Sequence, residues 1–202
     1  MLFLDELPEF SRHVLEVLRE PLETGVISLA RVNAQIDFPA RFQLVAAMNP
    51  CPCGFRGDPQ GNCRCSGDRV ANYLGRISGP LLDRIDIKVE VERPPTVAFR
   101  GASREETTAV VRARVALARE RALGRQGCVN GRLTTEKLDA ACRIDDAGWR
   151  LLEDAADNLG LSPRGLHRSL RVARTIADLD QADTIAPPHL AEALTFGGSK
   201  PG

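Results

Sequence analysis

The sequence predicts an α/β protein in two parts. Residues 1–95 read as parallel strands with helices and a β-hairpin, and residues 96–202 as an all-helical part. Three observations carry this. Leu2-Phe3-Leu4 and Phe42–Met48 are short apolar runs of the kind that form strands covered on both faces, as in parallel sheets. Val26–Ala30 and Gln35–Phe38 read as two short strands of a hairpin joined near Val32-Asn33. After Arg93-Pro94-Pro95 the character changes to Ala/Arg/Val-rich stretches with strong helix propensity.

In chain order, the first strand leads to a helix opened by Pro8 and Ser11. Val14, Leu15, Val17, Leu18 and Leu22 recur along it, and Glu20-Pro21 closes it. The hairpin and the second core strand follow, the latter ending in Asn49-Pro50. A cysteine-rich loop, Cys51–Cys65, precedes a short helix near Arg69–Arg76, and a third strand is expected over Ile85–Val91. Helices are then expected over Glu105–Leu123, over Thr135–Cys142 with a threonine cap, from Asp145 to near Gly160, from Ser162-Pro163 to Leu179, and from Pro187-Pro188 through Leu194. Ser or Asp at the cap and Pro at the first helical position satisfy or dispense with the unpaired N–H groups of a helix start. The last six residues read as a disordered tail.

Composition narrows the function classes. Lys+Arg and Asp+Glu both number 27, so nothing in the net charge supports a generally basic, DNA-coating protein. No run of 18 apolar residues occurs, and the N-terminus places Asp5 and Glu6 where a signal peptide would be basic and then apolar. The expected location is the cytoplasm, where six cysteines suit metal ligation or a core better than disulfides.

Four sets of residues carry chemistry. Asp5 and Glu6 end a strand where open α/β sheets bind ligands, so Asp5 suits Mg²⁺ and Glu6 suits polarising an attacking water. Asn49 ends the second strand and can hold that water, though Asn before Pro is also ordinary turn chemistry. Arg84 follows the rigid Gly79-Pro80 turn. Its planar charged donors suit charge growing on a phosphate, while an ion pair with Asp83 or Asp86 is the plainer reading. Arg164 lies in the first turn of a helix, where a cation opposes the helix dipole; the plainer reading is one solvated arginine among Arg168, Arg171 and Arg174.

Four segments taken together resemble the magnesium-chelatase-like AAA+ ATPases, and among them the YifB/ComM branch. They are Leu2–Phe10, Ala46–Gly54, Ser78–Asp86 and Leu170–Leu179. The resemblance implies a Walker B pair in Asp5 (Mg²⁺) and Glu6 (water activation). It makes Asn49 sensor 1, Arg84 the finger reaching a neighbouring subunit's ATP, and Arg164 sensor 2 in a helical lid. It also implies a homo-hexamer in which ATP hydrolysis remodels branched DNA, with the hairpin pointing towards a central pore.

Cys51-Pro52-Cys53 and Cys63-Arg64-Cys65 are two Cys-x-Cys pairs joined by a Gly-rich loop, a set that can satisfy tetrahedral Zn²⁺ if the backbone is extended at each pair. Four protein ligands leave no open position, so such a metal is structural and is expected to brace a subunit interface. Free thiols packed in a loop are the plainer reading. Cys128 and Cys142 read as small buried hydrophobes, His13, His167 and His189 as surface or lid packing, and Trp149 as core.

No Gly-x-x-x-x-Gly-Lys-Ser/Thr occurs in the 202 residues. The expectation is therefore the C-terminal portion of a longer protein, with negligible ATPase activity in isolation. Two alternatives remain: a zinc-stabilised, non-catalytic DNA- or protein-binding module, and the ATPase subunit of a magnesium chelatase. The cysteine loop, a mark the resemblance assigns to the YifB/ComM branch, argues against the latter.

Overall fold

The computed structural model describes residues 1–31, 34–92, 94 and 106–197. The chain is mixed α/β, mostly helical, and forms two compact units, Met1–Ile85 and the residues from Asp86 onward. The expected turn at Val32-Asn33, the linker at Arg93 and Pro95, the first residue of the Glu105 helix and all but the first residue of the tail lie outside the described residues.

In the first unit, β1 (Leu2–Leu4) pairs in parallel with β4 (Leu44–Ala46), Leu2 opposite Leu44 and Leu4 opposite Ala46. Two further bonds extend the ladder: Ala47 donates to the Leu4 carbonyl and Leu7 to that of Ala47, each at 2.9 Å. Only one face of this pair is covered. Leu4 packs with Leu7, Leu15, Ile77 and Leu81, whereas Phe3, 58% exposed, and its partner Val45 face outward. The expectation of strands covered on both faces is thus corrected, because successive residues alternate sides and nothing among the described residues packs on the second side.

The helical stretch after β1 is broken into three pieces. A single 3₁₀ turn, Leu7–Glu9, precedes α1 (Arg12–Val17), which Ser11 caps, and α2 (Arg19–Thr24). Pro21 does not close the helix as its sequence position suggests. It sits in the first turn of α2, where its missing N–H has no intrahelical partner to lose, and Gly25 (φ 72°) ends the helix instead. The hairpin then forms as expected, with β2 (Val26–Arg31) antiparallel to β3 (Ala34–Pro39). Cross-strand pairs Ile27–Phe38 and Leu29–Ile36 set four apolar side chains on one face of this two-stranded ribbon, all of them exposed.

Beyond β4 and the cysteine loop come α3 (Gly67–Leu74), capped by Ser66, and the single-turn α4 (Gly79–Leu82), capped by Ser78. The expected third strand over Ile85–Val91 is absent from the structure. The segment alternates apolar and charged residues, yet Ile87, Val89 and Val91 are exposed; alternation makes a strand only where a neighbouring backbone pairs with it.

The second unit is helical: α5 (Thr108–Gln126), α6 (Thr135–Ala141), α7 (Asp146–Leu159), α8 (Pro163–Leu179) and α9 (Pro187–Gly197). The cap chemistry read from the sequence operates at α7, where Asp145 accepts from Gly148 N at 2.8 Å and Gly160 (φ 61°) ends the helix. It operates again at α8, where Ser162 accepts from Gly165 N at 3.2 Å. Thr134 stands at the α6 cap but makes no cap hydrogen bond. The core gathers around α8, whose Leu170, Val172, Ala173, Ile176 and Ala177 meet Leu138, Cys142, Leu152 and Leu190. Trp149, expected in that core, is 47% exposed and rims an open cleft of about 460 Å³ with Leu166 and His167. Its neighbour Gly148 faces the core instead, where a Cβ would meet Leu190 at 3.0 Å. Among the described residues no helix is long and apolar enough to cross a membrane.

Candidate functional site

Parallel pairing of β1 with β4 sends both strand ends to the same side, so Asp5-Glu6 and Asn49 leave the sheet together. Asp5 and Glu6 are exposed, and Asp5 Oδ1 accepts from the Glu6 N–H at 2.9 Å. Glu6 takes a left-handed conformation (φ 51°, ψ 50°), one of only two non-glycine residues with positive φ among those described. Such backbone costs on the order of 1 kcal/mol and persists where neighbouring structure imposes it. Here the imposing structure is the Leu7–Ala47 bond and the tight turn behind it, which swing the chain off the sheet edge directly after the acids.

Arg84 follows α4 and is largely covered. It donates to the Pro80 carbonyl at 2.6 Å and forms an ion pair with Glu23 of α2, rather than resting only on the carboxylates beside it in sequence. Glu23 was invisible as a partner because 61 positions separate the two residues. Arg164 lies in the first turn of α8, in the second unit, and is exposed. The structure therefore brings Asp5, Glu6, Asn49 and Arg84 into one unit and places Arg164 in the other.

The four cysteines of the loop converge: their sulfurs all lie within 4.8 Å of one another. Cys51 Sγ stands 3.3 Å from Cys53 Sγ and 3.7 Å from Cys63 Sγ, and Cys53 is 3.6 Å from Cys63. Sulfurs around tetrahedral zinc, each at roughly 2.3 Å from the metal, stand about 3.8 Å apart, so the cage has the right size. The backbone differs from the extended form expected at each pair. Cys51–Gly54 is a turn, closed by Gly54 N to the Cys51 carbonyl at 3.0 Å and permitted by the left-handed Gly54 (φ 81°). Curling, not extension, lets two residues so close in sequence aim both sulfurs at one point. Burial works against the Cys51 thiolate, but hydrogen bonds from Cys53 and Cys63 and from the backbone at Arg56 and Cys53 outweigh it and lower its pKa to about 6. Cys65 is pushed to about 11, first by its hydrogen bond with Cys53 and then by burial. A cluster holding both thiolate and thiol is poised to lose its remaining protons to a cation.

The other residues follow their plainer readings. Cys142 is buried, its thiol raised to about 11 by burial and donating to the Leu170 carbonyl at 3.7 Å, and Cys128 is half-buried against the same core. His13 is exposed and His167 half-buried; His189 Nδ1 accepts from Ala186 N at 3.0 Å.

Two site neighbours had no sequence signal. Tyr73 of α3 is buried, and burial pushes its pKa up; the Asn49 backbone works against that rise, while Glu9, Glu6 and Cys51 add to it. Arg76, just past α3, donates to the Pro8 carbonyl at 3.0 Å and to Glu9 at 3.2 Å. Inward spacing with Val70 marks Tyr73 as core, but no local pattern ties it to Asn49.

Comparison with known proteins gives this geometry a family. The family model described as magnesium chelatase, subunit ChlI, matches residues 1–98, and that for its C-terminal region matches residues 105–197. The YifB protein of Salmonella typhimurium is 48% identical over 200 residues, covering 97% of this chain and 38% of the relative. The competence protein ComM of Haemophilus influenzae is 48% identical over 197 residues, with the same coverages. An uncharacterised protein of Mycobacterium tuberculosis is 45% identical over 200 residues, 97% of this chain and 39% of its own length. The chain belongs to the magnesium-chelatase-like family, beside the YifB and ComM proteins, and spans under two-fifths of the length of these relatives.

Proposed function

We propose that residues 1–95 are the hydrolytic part of an AAA+ ATPase core and residues 96–202 its helical lid, in a cytoplasmic homo-hexamer that couples ATP hydrolysis to DNA remodelling. The observation that carries this is the common exit of Asp5-Glu6 and Asn49 from the parallel β1–β4 pair. In this reading Asp5 offers a carboxylate to Mg²⁺, which screens phosphate charge when bound. Glu6 takes a proton from the attacking water while Asn49 holds that water by its side-chain amide. Arg84 acts on ATP held by a neighbouring subunit after leaving Glu23, and Arg164 reads the nucleotide from the lid. The link to DNA rests on the relative named a competence protein and is the part furthest from the geometry. Zn²⁺ on Cys51, Cys53, Cys63 and Cys65 is structural.

The test uses a chimera in which these residues replace the matching 38% of the Salmonella YifB relative, which restores full family length. Mg²⁺-dependent ATP hydrolysis is expected. Glu6→Gln is expected to lower kcat by at least about 100-fold, the scale of a lost general base, with nucleotide binding retained. Turnover by Glu6→Gln at the native rate would remove Glu6 from the chemistry. The cysteine convergence favours one second reading, a zinc-stabilised DNA- or protein-binding module without catalysis. It predicts salt-sensitive DNA binding by the 202-residue chain that is indifferent to ATP and to Glu6→Gln.

A further inference from the structure

The side chain of Glu6 is exposed and makes no hydrogen bond or ion pair among the described residues, so the backbone that carries it sets the direction of its carboxylate. That backbone is left-handed and is held from two sides. On one side Leu7 N donates to the Ala47 carbonyl at 2.9 Å, which fixes the residue after Glu6 to the end of β4. On the other the Glu6 carbonyl accepts from Glu9 N at 2.8 Å, which closes the 3₁₀ turn Leu7–Glu9. A non-glycine residue stays left-handed only while its surroundings hold it there. The second bond is therefore as firm as whatever steadies Pro8 and Glu9.

Arg76 steadies both, from 68 and 67 positions further along the chain. Its Nη1 donates to the Pro8 carbonyl at 3.0 Å and to Glu9 Oε2 at 3.2 Å. The two bonds are unequal. The ion pair is half exposed, at 52% and 59%, and such pairs contribute little. Pro8 is fully buried, and no backbone amide among the described residues donates to its carbonyl. The guanidinium thus satisfies an acceptor that water reaches poorly, and losing that bond costs more. The next residue pins the donor in place: Ile77 is buried and packs with Leu4 and Leu7 in the core of this unit.

We propose that Arg76 is a positioning residue for Glu6, acting through the Pro8 carbonyl and the 3₁₀ turn. Arg76 holds the turn closed, the turn holds Glu6 left-handed, and that conformation aims the carboxylate away from the end of β1. The role rests on the hydrolytic reading of Glu6 given above.

Two measurements test it. Residue-resolved amide hydrogen exchange on the 202-residue chain reads the turn, and turnover by the YifB chimera reads the consequence, each for Arg76→Ala and Arg76→Lys. Lysine keeps a charged donor for the carbonyl and alanine keeps none. In Arg76→Ala the Glu9 amide is expected to exchange about fivefold faster, the factor one hydrogen bond implies. The Ala47 amide, bonded to the Leu4 carbonyl at 2.9 Å, is expected to stay unchanged. In the chimera, Arg76→Ala is expected to lower kcat about tenfold at unchanged KM, the mark of a misplaced group rather than of lost binding. Arg76→Lys is expected to recover most of both losses, and Glu9→Gln, which removes the ion pair but spares the carbonyl bond, to keep the native kcat. Glu9 exchange at the native rate in Arg76→Ala overturns the proposal. Equal acceleration at Ala47 reduces Arg76 to general stability and overturns it too. So does a native kcat in Arg76→Ala where Glu6→Gln is inactive, and so does a loss in Glu9→Gln as large as that in Arg76→Ala. Turnover by Glu6→Gln at the native rate is the separate result that removes the hydrolytic reading and, with it, the proposal.

Discussion

Asp178 shows how much one residue decides in the second unit. Its side chain is fully buried, yet it meets Arg125 at 2.6 Å and 2.9 Å, the Asn130 amide at 2.8 Å and Arg174 at 3.1 Å. Burial alone would raise its pKa, but the hydrogen bonds from Arg125 and Asn130 and the charges of Arg174 and Arg125 prevail and lower it. Arg174, also fully buried, donates from its two terminal nitrogens to the Asp183 and Ala182 carbonyls at 2.9 Å and 2.6 Å, so it ties the α8–α9 connection to the core. The sign of the pH effect follows. A carboxyl whose folded pKa is depressed adds stability above its unfolded value, and that stability is lost as pH falls through the folded value. Denaturant titrations should therefore show the chain weakening below about pH 4. Asp178→Asn should cost about 3 kcal/mol or more near neutral pH, because it strands buried arginine charge, and should flatten that acid limb. A mutant as stable as the native chain would show that the pair contributes nothing net. Glu6 is the counterpart in the first unit: strained backbone at an exposed acid contributes nothing to packing and is intelligible as positioning.

Among the elements, α8 is the one the sequence specifies best. Ser162 and Pro163 set its start, and the structure begins it at Pro163 and ends it at Leu179 as the sequence indicates. Ser162→Ala should destabilise the second unit by about 1 kcal/mol, read as a drop in its urea midpoint with an unchanged slope. The elements read less well are those whose fate depends on a neighbour. Pro21 suggested a stop, and the true stop is Gly25, since proline is harmless in a first turn. Ile85–Val91 has the alternation of a strand but no pairing partner among the described residues. Trp149 fits an amphipathic pattern, yet the smaller Gly148 faces Leu190, so the ring is left at the cleft.

At the scale of the molecule, the two units carry separate reporters: the single tyrosine, Tyr73, is in the first, and the single tryptophan, Trp149, in the second. The first unit has a small core of five buried side chains beside an uncovered sheet face, so it depends on the cysteine cage more than the larger helical core does. Zinc should be found at one equivalent. A zinc chelator should lower the melting temperature read by Tyr73 ultraviolet absorbance and leave that read by Trp149 fluorescence where it was. Coincident shifts in both signals would deny that the metal acts within the first unit.

The sequence by itself determined the first core strand, the hairpin, the second core strand and the helices of the second unit in their order, the caps that start α7 and α8, the acids and the asparagine that follow the two core strands, and the four cysteines as one group. All of these follow from local chemistry: periodicity, cap hydrogen bonds and residue type. The tertiary structure alone decided that Arg84 meets Glu23, that Glu6 is held left-handed, that the cysteine turn curls, and that Arg76 grips the turn after Glu6. Those contacts join residues far apart in the chain, and their energies depend on burial and on partners that no local pattern encodes.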